Sequence, residues 1–267
     1  MNQMESNLIN PVEDDNSSED EKNNLLHEAE LFLNEICDDQ ALNHFTERKK
    51  MNIESIKFQQ NMIKYVQENK DNPGKIEDIW KEYDEIISIG LRNVDNMDRQ
   101  RALKSEFFGI KTSIIGSSAS INFFESQGFK VDYPSLEEDI IEKCDLKFIR
   151  EEDDAILVVQ LKSLFLQDLS RKEIEEVVSS LILTDDKGLR KKEDREDFNI
   201  LCKYCESKTN KHIPLFVKMP VLQEQRIKGR RTEIVKVISD NGEINRALQK
   251  SLEMRWEKCK NDLGLTD

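Results

Sequence analysis

Asp145, Gln160 and Lys162 are the residues whose types and spacing promise chemistry. They lie in one stretch that reads as a β-hairpin. It has an apolar strand from Cys144 to Ile149, an acidic turn from Glu151 to Asp154, and a second strand from Ala155 to Lys162 rich in Ile, Leu and Val. A turn symmetric about Glu152 and Asp153 pairs Arg150 with Ala155, and counting outward sets Asp145 opposite Gln160. Directly opposed residues share a sheet face, with Cβ atoms about 4.5–5.5 Å apart. Side chains alternate along a strand, so Lys162 falls on that face as well. A carboxylate at the start of an apolar strand is a hard oxygen ligand suited to Mg²⁺, which takes few protein ligands and keeps several waters. A solvent-exposed strand-end acid is the commoner fate of such a residue. The lysine that closes a continuous apolar run tips the balance toward a metal site.

The neighbouring segments must hold this hairpin. Ile114 to Phe124 is apolar with a helical period, Gly128 ends that helix, and Phe129 to Tyr133 forms a first strand stopped by Pro134. With these flanks, Ile110 to Lys218 resembles the core of the PD-(D/E)XK nuclease superfamily. In that family an Asp begins one strand and an acid-x-Lys tripeptide ends the next. Here Asp145 and Gln160-Leu161-Lys162 stand in those places, with Gln as a variant the superfamily tolerates. FESQGFKVDYPSLEEDIIEKCDLKF is similar to the family's helix, its Gly-aromatic step into the first strand, and its acidic connection to the Asp strand.

The resemblance implies a restriction-endonuclease-like α/β fold, a mixed β-sheet flanked by helices, and a metal-dependent nuclease acting on DNA rather than RNA. It implies that Asp145 and the side-chain oxygen of Gln160, helped by the Leu161 carbonyl, hold Mg²⁺ or Mn²⁺. It gives Lys162 the role of orienting a water and countering developing negative charge. Gln brings oxygen without charge and so weakens the metal site. That departure keeps open a second reading, a nuclease-fold protein without catalysis that serves as a binding or assembly subunit. The family's helix acid has no easy counterpart, because Ser117 and Ser118 stand in that region, with Glu106 too far upstream and Glu125 too near the helix end. Asp139, six residues before Asp145, is the further acid expected to fold back; a solvated loop charge is its alternative.

The 267 residues carry a net charge of −14, which opposes broad contact with phosphate but says little of a local groove. Arg226, Lys228, Arg230 and Arg231 surround Gly229 with no acid among them and are the preferred nucleic-acid contacts. Lys147, on the Asp145 face, either joins them or snorkels at the sheet margin. Lys187, Arg190, Lys191 and Lys192 are weaker candidates, since acids follow directly in KKEDRED. Five cysteines without a disulfide spacing read as free thiols. Cys202, Cys205 and His212 suggest zinc but lack a fourth ligand, and the bland reading packs Cys202 inward. No Gly-rich phosphate cradle appears, which argues against an ATPase or a dinucleotide enzyme. Without an apolar run of membrane length or a signal peptide, a cytoplasmic protein with no membrane contact is expected.

Four regions are expected. Residues 1–21 form an acidic, disordered tail, and 22–100 a helical region whose apolar faces suit a homodimer or a protein partner. Residues 101–220 form the nuclease-like core, and 221–267 a basic segment with a terminal helix. Gly109 and Gly116 either interrupt the long helix before the first strand or let another backbone come close. After the hairpin a helix capped by Ser170 buries Ile174, Val177, Val178, Leu181 and Ile182. A charged loop then runs from Thr184 to Glu196, a short helix ends near Glu206, and His212 to Val217 forms a strand with Pro214 at an edge or bulge. A mainly helical regulator with only a structural sheet is a third reading.

Overall fold

Two apolar rows, one on each side of the strand after the acidic turn, organise the molecule. The structure is a computed structural model that describes residues 15–37, 45–152, 154–166, 171–227 and 231–265. Among these are eight α-helices: α1 (Asp15–Cys37), α2 (Phe45–Glu68), α3 (Pro73–Arg92), α4 (Met97–Ser126), α5 (Leu136–Ile140), α6 (Arg171–Ser179), α7 (Lys192–Glu206) and α8 (Arg246–Leu263). The strands are β1 (Lys130–Asp132), β2 (Leu146–Arg150), β3 (Ala155–Leu166), β4 (Ile182–Leu183), β5 (His212–Ile227) and β6 (Arg231–Lys236). They form one mixed sheet in the order β1-β2-β3-β5-β4, with β6 on the far part of β5. β1, β2 and β3 run antiparallel, while β3 and β5 are parallel and joined by the crossover through α6, β4 and α7. The hairpin register has Arg150 opposite Ala155, as the symmetric turn predicts.

Ala155, Leu157, Val159 and Leu161 face one way into a core with Ile114, Ala119 and Ile121 of α4. Val158 faces the other way, against Phe198 and Leu201 of α7 and Phe216 of β5. The α4 helix runs unbroken through Gly109 and Gly116, and what comes close at Gly116 is a side chain instead of another backbone. A Cβ there would stand 2.1 Å from Ser163 Oγ. Phe124 anchors the same layer, its ring 4.7 Å from Phe148 and 5.3 Å from Trp256 of α8.

The apolar faces of α1, α2 and α3, expected to suit a dimer or a partner, are buried within the chain. Leu25, Phe32, Met62, Val66, Ile79 and Trp80 belong to the same continuous core as the sheet. α1 begins at Asp15, inside the stretch expected to be a tail. Residues 1–14 lie outside the described residues, as does Ser170.

Further departures follow from long-range pairing. Ile182 and Leu183 leave the helix and pair with Val217 and Phe216 as β4. α7 starts at Lys192 instead of after Glu196, with Glu193 and Asp194 in its first turn. β5 runs well past Val217 because β3 pairs with it as far as Gln223 and β6 from Leu222 onward. The expected boundary at residue 220 therefore cuts a strand. Lys218 N–H reaches Leu181 on the β4 side, and alternation puts the Pro214 nitrogen on that side, below the end of β4. Its missing donor costs no ladder bond, so Pro214 sits at a local edge of an otherwise inner strand. No helix among the described residues is long and apolar enough to cross a membrane.

Candidate functional site

Asp145 sits in a bend one residue ahead of β2, outside the paired register that begins at Leu146 and Val159, with its N–H donating to Val159 O at 2.9 Å. The side chain of Gln160 meets it: Gln160 Nε2 donates to Asp145 Oδ2 at 3.0 Å, and the Leu161 N–H donates to the same oxygen at 2.5 Å. Lys162, two positions on, lies on the same α7-facing side and is held by Asp194 of α7, with Nζ to Oδ1 at 3.5 Å. The amide and the ammonium thus share one sheet face, and the Asp145 carboxyl meets the amide at the start of β2.

Burial pushes the Asp145 carboxyl up to about 8; the negative charge of Asp139, and more weakly that of Asp197, push the same way. The Leu161 N–H and the Lys162 charge pull it back only in part. Asp139 has folded back to within electrostatic reach of Asp145. It is itself pushed up to about 6 by burial, against a hydrogen bond from Gln60 Nε2 at 3.2 Å and the charge of Lys143.

The placement of Asp139 rests on its neighbour Glu138. Ser135 and Glu138 form a capping box at the start of α5. The Glu138 carboxylate also accepts from Tyr204 of α7 and from Lys147 of β2. Burial raises its pKa, but the bonds from Tyr204, the Ser135 N–H and Lys147 outweigh that and hold it at about 2. Lys147, expected among the nucleic-acid contacts, is spent inside the chain. Its Nζ lies 3.0 Å from Asp132 and 3.1 Å from Glu138, and the side chain is 14% exposed.

Asp194 and Asp197 escaped sequence reasoning, which took their segment for a loop. Their i, i+3 spacing is the signal that was available, since it sets both on one helix face once α7 starts at Lys192. Lys187, Arg190 and Lys191 line a cavity of about 500 Å³ together with Lys162, whereas Lys192 pairs with Glu196. Ile227 pairs with Arg231 at the far end of β5, roughly 30 Å along the strand at about 3.3 Å per residue from Lys218, the register partner of Lys162. Lys228 and Arg230 fall outside the described residues, as do the side chains of Arg226 and Arg231.

Among the described residues, no three His, Cys, Asp or Glu side chains come together closely enough to hold a metal ion. The zinc reading of Cys202, Cys205 and His212 finds no such cluster, and Cys205 is the thiol packed inward while Cys202 is half-buried. At the hairpin the oxygen donors are the Asp145 carboxyl, the Leu161 carbonyl and Gln160 Oε1. This last atom is buried and has no hydrogen-bond partner. A buried orphan oxygen beside a carboxyl suits a hard cation. The chain matches no family model, no curated protein and no solved structure.

Proposed function

We propose that the chain is a metal-dependent nuclease of restriction-endonuclease-like fold that hydrolyses phosphodiester bonds, with DNA as its substrate. The observation that carries the reading is the pairing of Asp145 with Gln160 across β2 and β3, which leaves Gln160 Oε1 buried and unpartnered beside the carboxyl. The element order supports it: a helix, three antiparallel strands, a helical crossover and a strand parallel to the third. In this reading Asp145, Gln160 Oε1 and the Leu161 carbonyl would hold Mg²⁺ or Mn²⁺. Such an ion, when bound, supplies Lewis acidity at a phosphate oxygen and a water of lowered pKa. Lys162 presents a half-exposed ammonium on the same face for the phosphate charge that builds up during hydrolysis, and Asp194 orients it.

The test is cleavage of single- and double-stranded DNA and RNA with Mg²⁺ or Mn²⁺ by the natural protein, Asp145→Ala and Lys162→Ala. Each variant is expected to lose about 100-fold or more in rate. Cutting that survives both changes removes these residues from the mechanism. A non-catalytic binding subunit is the second reading, favoured by a donor set with one carboxylate and a neutral amide. Inertness of the natural protein on all four substrates, with binding retained, would select it.

A further inference from the structure

The crossover between β3 and β5 puts two cations side by side, because Lys162 and Lys218 are register partners in the parallel pair. Like charges opposed across strands repel. Asp194 offsets Lys162. Lys218 is half-buried, its Nζ donates to the Ser180 hydroxyl at 3.2 Å, and among the described residues no carboxylate forms an ion pair with it. Burial disfavours its ammonium, and the Arg190 charge adds to this while Asp194 works against it. Both lysines and Arg190 line the 500 Å³ cavity, and the Arg190 charge reaches Lys218. An anion seated there would supply what Lys218 lacks.

The cavity's size and lining narrow the choice of anion. It falls in the ~300–1,000 Å³ range of small-molecule sites and exceeds the needs of a bare phosphate. Leu164, Val177 and Leu183 give it an apolar wall fit for a sugar or a base. Glu173 and Glu176 also border it, and Arg190 is hydrogen-bonded to Glu176. These carboxylates make it a poor path for a continuous polyanion but leave room for one phosphate.

We propose that this cavity binds the phosphomonoester of a single nucleotide, on Lys218 and Arg190, with Lys162, two residues along β3 from Gln160, also in its lining. The inference deepens the nuclease reading by naming a phosphorylated strand end as the substrate feature recognised. A free nucleoside monophosphate carries the same chemistry.

The experiment runs in EDTA, so that it reads binding and not cleavage. Oligonucleotides with a 5′-phosphate, a 3′-phosphate or only hydroxyl ends are titrated by fluorescence anisotropy against the full chain, Lys218→Met and Arg190→Gln. Competition by nucleoside 5′-monophosphate is a separate arm. One phosphorylated end is expected to bind about tenfold tighter than hydroxyl ends, with the preference lost in Lys218→Met and reduced in Arg190→Gln. If only the free monophosphate binds in a Lys218-dependent way, the ligand is a free nucleotide and the cavity assignment stands. Equal affinity for all ends with no monophosphate binding overturns it, as does a preference that survives both variants. Should Lys218→Met fail to fold, the exposed Arg190 decides. Inertness of the natural protein on all four substrates would sink the nuclease reading without touching this result.

Discussion

Replacing Asp145 with Asn is expected to raise stability at pH 8 while removing metal-dependent cleavage. The folded-state pKa stands at about 8 against an ordinary value of 3.8, so between those values the unfolded chain has lost a proton that the folded chain keeps. Stability therefore falls as pH rises from about 4 to about 8 and then levels off. Asn accepts the same bonds from Gln160 and Leu161 and carries no charge to bury. The gain at pH 8 should be on the order of 2 kcal/mol or more. Asp139, pushed up to about 6, has the same sign but is spent by pH 6, which leaves the interval from 6 to 8 to Asp145. Urea unfolding at pH 6 and 8 checks this: the natural protein should weaken over that interval and Asp145→Asn should stay level. Mg²⁺ should stabilise the natural protein at pH 8 and leave the variant unmoved, since only a carboxylate site binds the ion. A variant no more stable than the natural protein at pH 8 would show that the carboxyl carries no folding cost.

Gly242→Ala should be the most damaging small substitution, at about 2–4 kcal/mol. Gly242 has φ +78°, a conformation L side chains rarely adopt. A Cβ there would stand 2.8 Å from the backbone carbon of Ser118 and 2.9 Å from the Ala119 nitrogen, and backbone in mid-helix cannot move aside. The turn is pinned to its surroundings by Asn122 Nδ2 on Gly242 O at 3.1 Å and by Trp80 Nε1 on Asp240 O at 3.2 Å. Gly109 lies in the same long helix α4 with nothing near its missing Cβ. Gly109→Ala should therefore be neutral or stabilise by up to about 1 kcal/mol. Denaturant midpoints of the two variants measure the contrast, and equal midpoints would refute the close-approach account.

The hairpin and the meeting of Asp145 with Gln160 were legible because strand alternation and a symmetric turn are local rules. A separation of 15 residues suffices to set them. The approach of α4 at Gly116 was half legible, since glycine permits a close contact without naming its partner. Asp194, Asp197 and Lys218 were hidden for a different reason. Their importance depends on a crossover that brings residue 218 beside residue 162, and no period in the chain encodes that pairing. The mixed charges of KKEDRED read as a solvated loop, yet the acids among them start α7 and set Asp194 on Lys162. The acid-free 226–231 segment looked the better contact only because pattern reading weighs composition and cannot see distance along β5. Lys147 showed the right face, but its two carboxylate partners come from β1 and α5.

The single core shared by the three leading helices and the sheet sets a floor under how far the polypeptide can be shortened. A fragment of residues 101–220 would strip Phe107 of Phe32 from α1 and Tyr83 from α3, take the Trp256 ring away from Phe124, and end in the middle of β5. The amino-terminal helices are a wall of the building that houses the Asp145–Gln160 pair, and minimal expression boundaries have to enclose them.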